Sequence, residues 1–414
     1  MRITGEIRVP GDKSISHRAF MLGALAQGAT VVRGALESLD VRSTRRALET
    51  LGARIEKAGD AWRVIGGGLC EPAAVIDAGN SGTTARLLSG ICAGIEGVTA
   101  MTGDHSLVMR PMARVIQPLQ KMGASFLARR DRFLPMAIRG GGLSGITWDI
   151  DVSSAQVKSA LLLAGLKAQG VTTVSEPSLS RDHTERMLPY FGAQIERDGT
   201  TVRVRGPQSL SAREVQVPGD PSSAAFPAVW AAASKGSEIL LRDICLNPTR
   251  TGYIAVLRRM GARISIENIR ELSGEPVGDI FVTGGELEAA TIEGGEIPTL
   301  IDEIPVLAVA ACFAQGTTVI RDASELRVKE TDRISALVQG LAALGAQVEE
   351  MPDGLIINGP LRLRAGSVRT FSDHRIAMAF SILAKIADIA VDIDDTECVD
   401  ISFPGFFQIM EGSR

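Results

Sequence analysis

The sequence is poor in aromatic residues: phenylalanine, tryptophan and tyrosine together make up 4% of its 414 residues. That scarcity argues against the stacking platforms that hold single-stranded nucleic acid. Positive charge is not in excess either, with 44 lysines and arginines against 48 aspartates and glutamates. No overall basic field exists to draw in a polyanion, so an anionic ligand must be met by cations gathered locally. Cysteine is sparse, at Cys70, Cys92, Cys245, Cys312 and Cys398. The odd number and scattered spacing suit neither a disulfide framework nor a metal site and fit a reducing compartment. No apolar run approaches the roughly 18 residues of a membrane span. The opening "MRITGEIRVPGDKS" lacks the apolar stretch of a secretory leader, so a cytoplasmic protein is expected. No GxxxxGK[ST] sequence is present to cradle nucleotide phosphates.

What is abundant is repetition. An apolar residue followed by Gly-Ala opens a strand-like run five times: "LGARIE" (Gly52), "MGASFL" (Gly123), "FGAQIE" (Gly192), "MGARIS" (Gly261) and "LGAQVE" (Gly345). A second marker, usually Gly-x-Thr before apolar residues, starts at Gly28, Gly97, Gly170, Gly236 and Gly316, with a weaker copy from Asp388. Two independent markers with one period point to six copies of a single unit. Each unit holds a helix that is apolar all round, such as "TTARLLSGICAG" or "EIPVLAVAACFAQ", then a strand, an amphipathic helix such as "VRSTRRALETLG", and a further strand. The first helix is expected inside and the second outside. Glycine after the second helix is a C-cap signal, and the runs at 66–68 and 140–142 read as connections.

The expected fold is α/β, in two domains of three repeats. The break falls near the Pro-Gly turn of "VPGDPSS", giving domains of 12–218 and of 1–11 with 219–414. The opening strand "MRITGEIRV" has no unit of its own. It is expected to complete the last repeat, whose helix "FPGFFQIME" is followed by no strand.

The residues that begin the six apolar helices read "GDKSISHR", "GNSGTT", "SSAQ", "GDPSS", "IDEIP" and "SDHR". Capping explains Ser, Asn and Asp there. It does not explain Lys13, Arg18 and Arg375, because cations at a helix N-terminus oppose the macrodipole and call for a counter-anion. Uncapped N–H groups at such ends also attract phosphate or carboxylate. The stretch "LRVKETDR" at 326–333 crowds five charges between a strand and a helix. Its cations could hold an anion while Glu330 moves a proton; alone, it could equally be a solvated salt-bridge knot.

Taken in order, "PGDKSISHR", "GNSGTTARL", "MRPM", "SSAQVKSALLLAGL", "SRDHTERM", "IDEIPVLAVAA", "LRVKETDR" and "SDHRIAMAF" resemble the motifs of the 5-enolpyruvylshikimate-3-phosphate synthase family, bacterial branch, over about residues 1–407. The resemblance implies two inside-out α/β barrels, each of three βαβαββ units around buried helices. It implies enolpyruvyl transfer from phosphoenolpyruvate to the 5-hydroxyl of shikimate 3-phosphate, the sixth step toward chorismate and the aromatic amino acids. It implies no metal or organic cofactor, no nucleic-acid or membrane partner, a monomer, and an interdomain active site that closes on its substrates. By the same resemblance Lys13, Ser14, Arg18, Ser154, Ala155, Gln156 and Arg181 bind shikimate 3-phosphate, Arg181 with Ser180 nearby. Lys13, Gly82, Arg110, Gln156, Arg333 and Arg375 bind phosphoenolpyruvate. Asp302 and Lys329 hold the reacting hydroxyls. Lys13, Asp302, Lys329 and Glu330 carry the chemistry, Asp302 as base and Glu330 as acid at the methylene carbon.

The pattern also departs from the family. Ile401 stands where some members have a lysine, Glu325 where others have an asparagine, and His183 where some have a tyrosine. Gly82 suggests glyphosate sensitivity, which Ile401 leaves open. His17 and His105 are expected to be structural. The sister transferase that uses UDP-N-acetylglucosamine has a reactive cysteine before its Arg-Pro pair, whereas "GDHSLVMRP" has none. A non-catalytic anion-binding repeat protein would need neither Asp302 nor Glu330.

Overall fold

The computed structural model describes residues 2–412. Gly11–Val217 together with Glu271–Glu275 form one compact unit, and the rest of the described chain forms a second. Each is built from repeated βα units.

In the first unit three sheets share one plan. The clearest runs Ile76–Asp77, Gly97–Thr102, Phe133–Gly140, Ser125–Arg129. A short strand lies parallel to the next, and an antiparallel hairpin follows. In two of the sheets the chain passes through an inner helix between the parallel strands, Gly82–Ala93 or Ala155–Gly165; in the other, inner helix Lys13–Leu25 precedes Ala26–Arg33, whose parallel partners Leu210–Ser211 and Glu214–Gln216 return from the end of the unit. These helices are buried nearly throughout, Ile15–Ala24 without interruption in Lys13–Leu25. The amphipathic helix Leu39–Thr50 buries only Asp40, Val41, Thr44, Ala47 and Leu48, as a helix facing solvent on one side must.

The recurring glycines have two physical causes. Gly52, Gly123, Gly192, Gly261 and Gly345 all adopt positive φ, between 87° and 115°, where any Cβ is strained. A different set, Gly66, Gly140, Gly206 and Gly359, ends the hairpin strands. A Cβ on any of them would lie 2.2–2.3 Å from a carbonyl oxygen at the end of an inner helix. Glycine therefore sets how closely sheet and inner helix pack. Gly140–Gly145 spells GxGxxG by letter, but it joins strand Phe133–Gly140 to strand Thr147–Asp149 and opens no helix, so it lacks the context of a dinucleotide site.

The second unit repeats the plan around Pro221–Ala232, Ile304–Phe313 and His374–Ala387; every residue of the first of these is buried. One expectation is overturned here. Strand Thr4–Ile7 does not complete the last repeat; it pairs in parallel with Glu238–Leu241 and opens the fourth. Ile3 and Ile7 enter the same core as Ile239 and Leu241, and the Ile3 amide donates to Ser237 Oγ at 2.9 Å. The spacing of markers reveals a period but not which edge a lone strand joins. The sixth sheet, Gly366–Val368 with Val391–Ile393, has two strands among the described residues. At the end of helix His374–Ala387, Asp388 takes the left-handed φ of 54°.

Among the described residues all five cysteines are free, and no helix is long and apolar enough to cross a membrane. Burial pushes the Cys92 and Cys312 thiols up to about 12.

Candidate active site

The candidate residues fall into two clusters, one in each unit. In the first unit the starts of the three inner helices are tied together by side chains. Arg18, 4% exposed, donates from Nε to Thr184 Oγ1 at 2.7 Å, from Nη2 to Ser159 Oγ at 2.8 Å, and from Nη1 to the Ser14 carbonyl at 3.0 Å. Burial brings its basicity down to about 10; Glu185 and Asp12 oppose this, while the charge of Arg181 adds to it. Two cations so disposed favour an anion beside them. Lys13 donates to Asp40 Oδ2 at 3.2 Å. Gln156 accepts from Arg86 Nη1 at 2.7 Å and donates to Thr83 Oγ1 at 3.1 Å. Arg86 and Arg110 both flank Gly82: a Cβ there would lie 2.9 Å from Arg86 Nη1 and 3.7 Å from Arg110 Nη1. Ser154 caps its helix, with Ala155 the first helical residue.

The helix starts are capped, as their Ser and Asp residues lead one to expect. Asp12, Ser81, Ser154, Asp220 and Asp373 each accept a backbone N–H of their own helix, leaving only Glu303 without a side-chain cap bond among the six. Any grip on an anion therefore comes mainly from side-chain cations and the helix dipole, with few orphan amides to add to it.

In the second unit the cluster centres on Asp302. Its Oδ1 accepts from Arg333 Nη1 at 3.1 Å and lies 3.5 Å from Lys329 Nζ. Arg375 Nη2 is 3.8 Å from Oδ2, and Arg375 Nη1 donates to the Asp302 carbonyl at 2.9 Å. Glu330 accepts from Arg333 Nη2 at 2.6 Å, and Asp373 from Arg333 Nε at 2.8 Å. Burial alone would lower Arg333, but Asp373, Glu330 and Asp302 outweigh it and hold the guanidinium above its ordinary value. A carboxylate, an ammonium and a second carboxylate thus adjoin two guanidiniums, a donor set that can carry protons as well as fix anions.

This divides "LRVKETDR" in two. Lys329 and Arg333 reach Asp302, and Glu330 joins them through Arg333. Arg327 instead pairs with Asp332 at 2.7 Å and Glu350 at 2.9 Å and donates to the Met351 and Pro352 carbonyls. The salt-bridge reading is right for that half.

Other residues escaped the sequence. Lys158, 1% exposed, sits 2.5 Å from Glu176 and 2.7 Å from Glu185. Like Arg86, it lay inside an apolar run, with no local sign of a buried partner. Ser180 donates to Glu176. His183 is buried against Glu275 at 2.7 Å. Ile401 packs on the core of the second unit, with no cation in its place. His17 is buried, bonded to Thr44 at 2.7 Å, and burial, then Lys13 and Arg18, keep it well below the usual histidine range. His105 is exposed. No group of three His, Cys, Asp or Glu residues is placed to hold a metal ion among the described residues.

With this geometry in hand, comparison with known proteins is informative. The family model for EPSP synthase (3-phosphoshikimate 1-carboxyvinyltransferase) matches residues 1–410. The chain belongs to the EPSP synthase family. A 3-phosphoshikimate 1-carboxyvinyltransferase of Synechococcus sp. (strain JA-3-3Ab) is 53% identical over 417 residues, covering 99% of this chain and 94% of that relative. The EPSP synthase of Acinetobacter baumannii, solved at 2.37 Å, is 41% identical with a TM-score of 0.90, covering 100% of this chain and 96% of that one. The enolpyruvyl transferase NikO from Streptomyces tendae, 17% identical with a TM-score of 0.78 over 100% and 95% of the two chains, shares the fold. As an EPSP synthase, the chain is a 3-phosphoshikimate 1-carboxyvinyltransferase of the shikimate pathway acting on small molecules.

Proposed function

We propose that the chain transfers the enolpyruvyl group of phosphoenolpyruvate to the 5-hydroxyl of shikimate 3-phosphate, the sixth step toward chorismate, through a tetrahedral ketal phosphate. Lys13, Ser14, Arg18, Ser154, Ala155, Gln156 and Arg181 hold shikimate 3-phosphate. Lys13, Gly82, Arg110, Gln156, Arg333 and Arg375 hold phosphoenolpyruvate, whose carboxylate and phosphate suit guanidinium forks.

In the addition, Asp302 takes the proton of the 5-hydroxyl as its oxygen bonds to C2 of phosphoenolpyruvate, and Glu330 gives a proton to C3, which becomes a methyl group. In the elimination, a methyl proton returns to Glu330 as the C2–C3 double bond re-forms, and the departing phosphate takes the proton held by Asp302, which restores both groups. Lys329, 3.5 Å from Asp302, stabilises the carboxylate until the proton arrives. The observation that carries this reading is the Asp302 cluster: base, acid and anion-holding arginines share direct contacts. The test is phosphate release from phosphoenolpyruvate with shikimate 3-phosphate as acceptor and UDP-N-acetylglucosamine as control. Release with the first alone is expected. Release with the second, or with neither, overturns the reading.

A further inference from the structure

Glu303 is 1% exposed and lies one residue beyond the proposed base. It touches the other two inner-helix starts of its unit. Its Oε1 accepts from Ser222 Oγ, next to the cap of helix Pro221–Ala232, and lies 3.6 Å from Arg375 Nη1, at the start of helix His374–Ala387. Behind it, Arg250 Nη2 donates to Ser222 Oγ at 2.8 Å and to Asp220 Oδ1 at 3.0 Å. Arginine can only donate. The Ser222 hydroxyl therefore accepts from Arg250, and its own hydrogen is aimed at Glu303. Arg250 thus donates to Ser222 and Ser222 to Glu303, while Arg375 meets Glu303 from the other side as its counter-charge; that guanidinium also reaches the carbonyl and carboxylate of Asp302.

We propose that Glu303 is a positioning residue for enolpyruvyl transfer: from behind Arg375 it fixes the guanidinium that meets phosphoenolpyruvate, and Ser222 with Arg250 holds Glu303 in that pose. The inference rests on the enolpyruvyl-transfer reading. A simple structural role for Glu303 would weaken both substrates alike or only the fold. A positioning role acts on one substrate, through one arginine.

The test is steady-state kinetics on Glu303→Gln, which keeps the shape and removes the charge, with Ser222→Ala, Arg375→Ala and the double variant Glu303→Gln/Arg375→Ala. Glu303→Gln should raise the KM for phosphoenolpyruvate by about 30-fold or more, the usual loss when one partner of a buried charge pair goes. The KM for shikimate 3-phosphate should stay within about twofold, and Ser222→Ala should move the same constant in the same direction by less. Added to Arg375→Ala, Glu303→Gln should cost little further, because the group it aims is gone. Equal rises in both KM values, no rise, or fully additive losses overturn the proposal. If Glu303→Gln does not fold, Ser222→Ala decides, and an unchanged KM for phosphoenolpyruvate there overturns it. A wild-type chain inactive with shikimate 3-phosphate would sink the underlying reading, and is distinguished by needing no variant.

Discussion

Arg18 and Arg333 are both buried in polar clusters, yet their surroundings push them in opposite directions. In the first unit Arg18 is held by two hydroxyls and a carbonyl, and burial lowers it to about 10. In the second, burial is outweighed by the three carboxylates around Arg333, which hold it up. Arg18 thus leaves its positive charge unspent on any directly bonded carboxylate, although Lys13 nearby pairs with Asp40, and this suits a site that receives a phosphate. The second cluster is neutralised by its own acids, which suits a site that shuttles protons beside an anion. One repeat plan thus offers two settings for a buried arginine, hydroxyls around Arg18 and carboxylates around Arg333.

The largest effect that could break this contrast is at Asp302. Asp302→Ala should lower kcat by about 10²–10⁴-fold, while calorimetry still detects shikimate 3-phosphate binding, since the phosphate contacts we propose belong to the hydroxyl-held cluster. Unchanged kcat, or binding lost together with kcat, would erase the division of labour. Next comes a matched pair, Arg333→Met and Arg18→Met, compared by denaturant unfolding without substrates. Arg333→Met strands buried Asp373 with Asp302 and Glu330 and should cost about 3–5 kcal/mol. Arg18→Met leaves mainly neutral groups and should cost less than half as much, while abolishing measurable phosphoshikimate affinity. Equal costs would mean that the hydroxyl setting leaves Arg18 no less compensated than Arg333.

Gly82→Ala is a milder probe of the first cluster. The added Cβ meets the flexible ends of Arg86 and Arg110, not backbone, so the fold should be unaffected. Displaced guanidiniums should raise the KM for phosphoenolpyruvate by roughly tenfold, about 1.4 kcal/mol, and leave that for shikimate 3-phosphate unchanged. A rise for shikimate 3-phosphate instead would move Gly82 to the other substrate.

Most of the architecture could be read from residues whose type the backbone dictates. Gly52 and Gly28, each with its equivalents, need positive φ, so both markers recur with the repeat. Helices buried on every side announce themselves by having no polar face. The placement of strand Thr4–Ile7 was not legible, because edge pairing depends on which core Ile3 and Ile7 enter, not on spacing. In the site, cations at helix starts stood out because the dipole opposes them. Lys158, Glu303 and Arg250 did not, because their partners are 18, 81 and 30 residues away along the chain. Arg327 shows the converse: its charge looked chemical and is spent on Asp332 and Glu350.

The smallest effect probes the unspent charge directly. His17 lies in the first cluster, and burial, Lys13 and Arg18 all disfavour its protonation. Its folded value is lowered, so below the ordinary value near 6.5 the unfolded chain takes up a proton that the native chain refuses. Stability should therefore be intact above that pH and decline below it, by up to about 1.4 kcal/mol per pH unit, until the native value is reached. His17→Asn should flatten that slope in denaturation measured between pH 7.5 and 5.5. Arg18→Met should bring the His17 resonance, followed by NMR, upward toward 6.5, whereas Arg333→Met should leave it in place. A His17 titration indifferent to Arg18 would show that the first cluster's field is already cancelled within the protein, and the contrast between the two units would rest on hydrogen-bond partners alone.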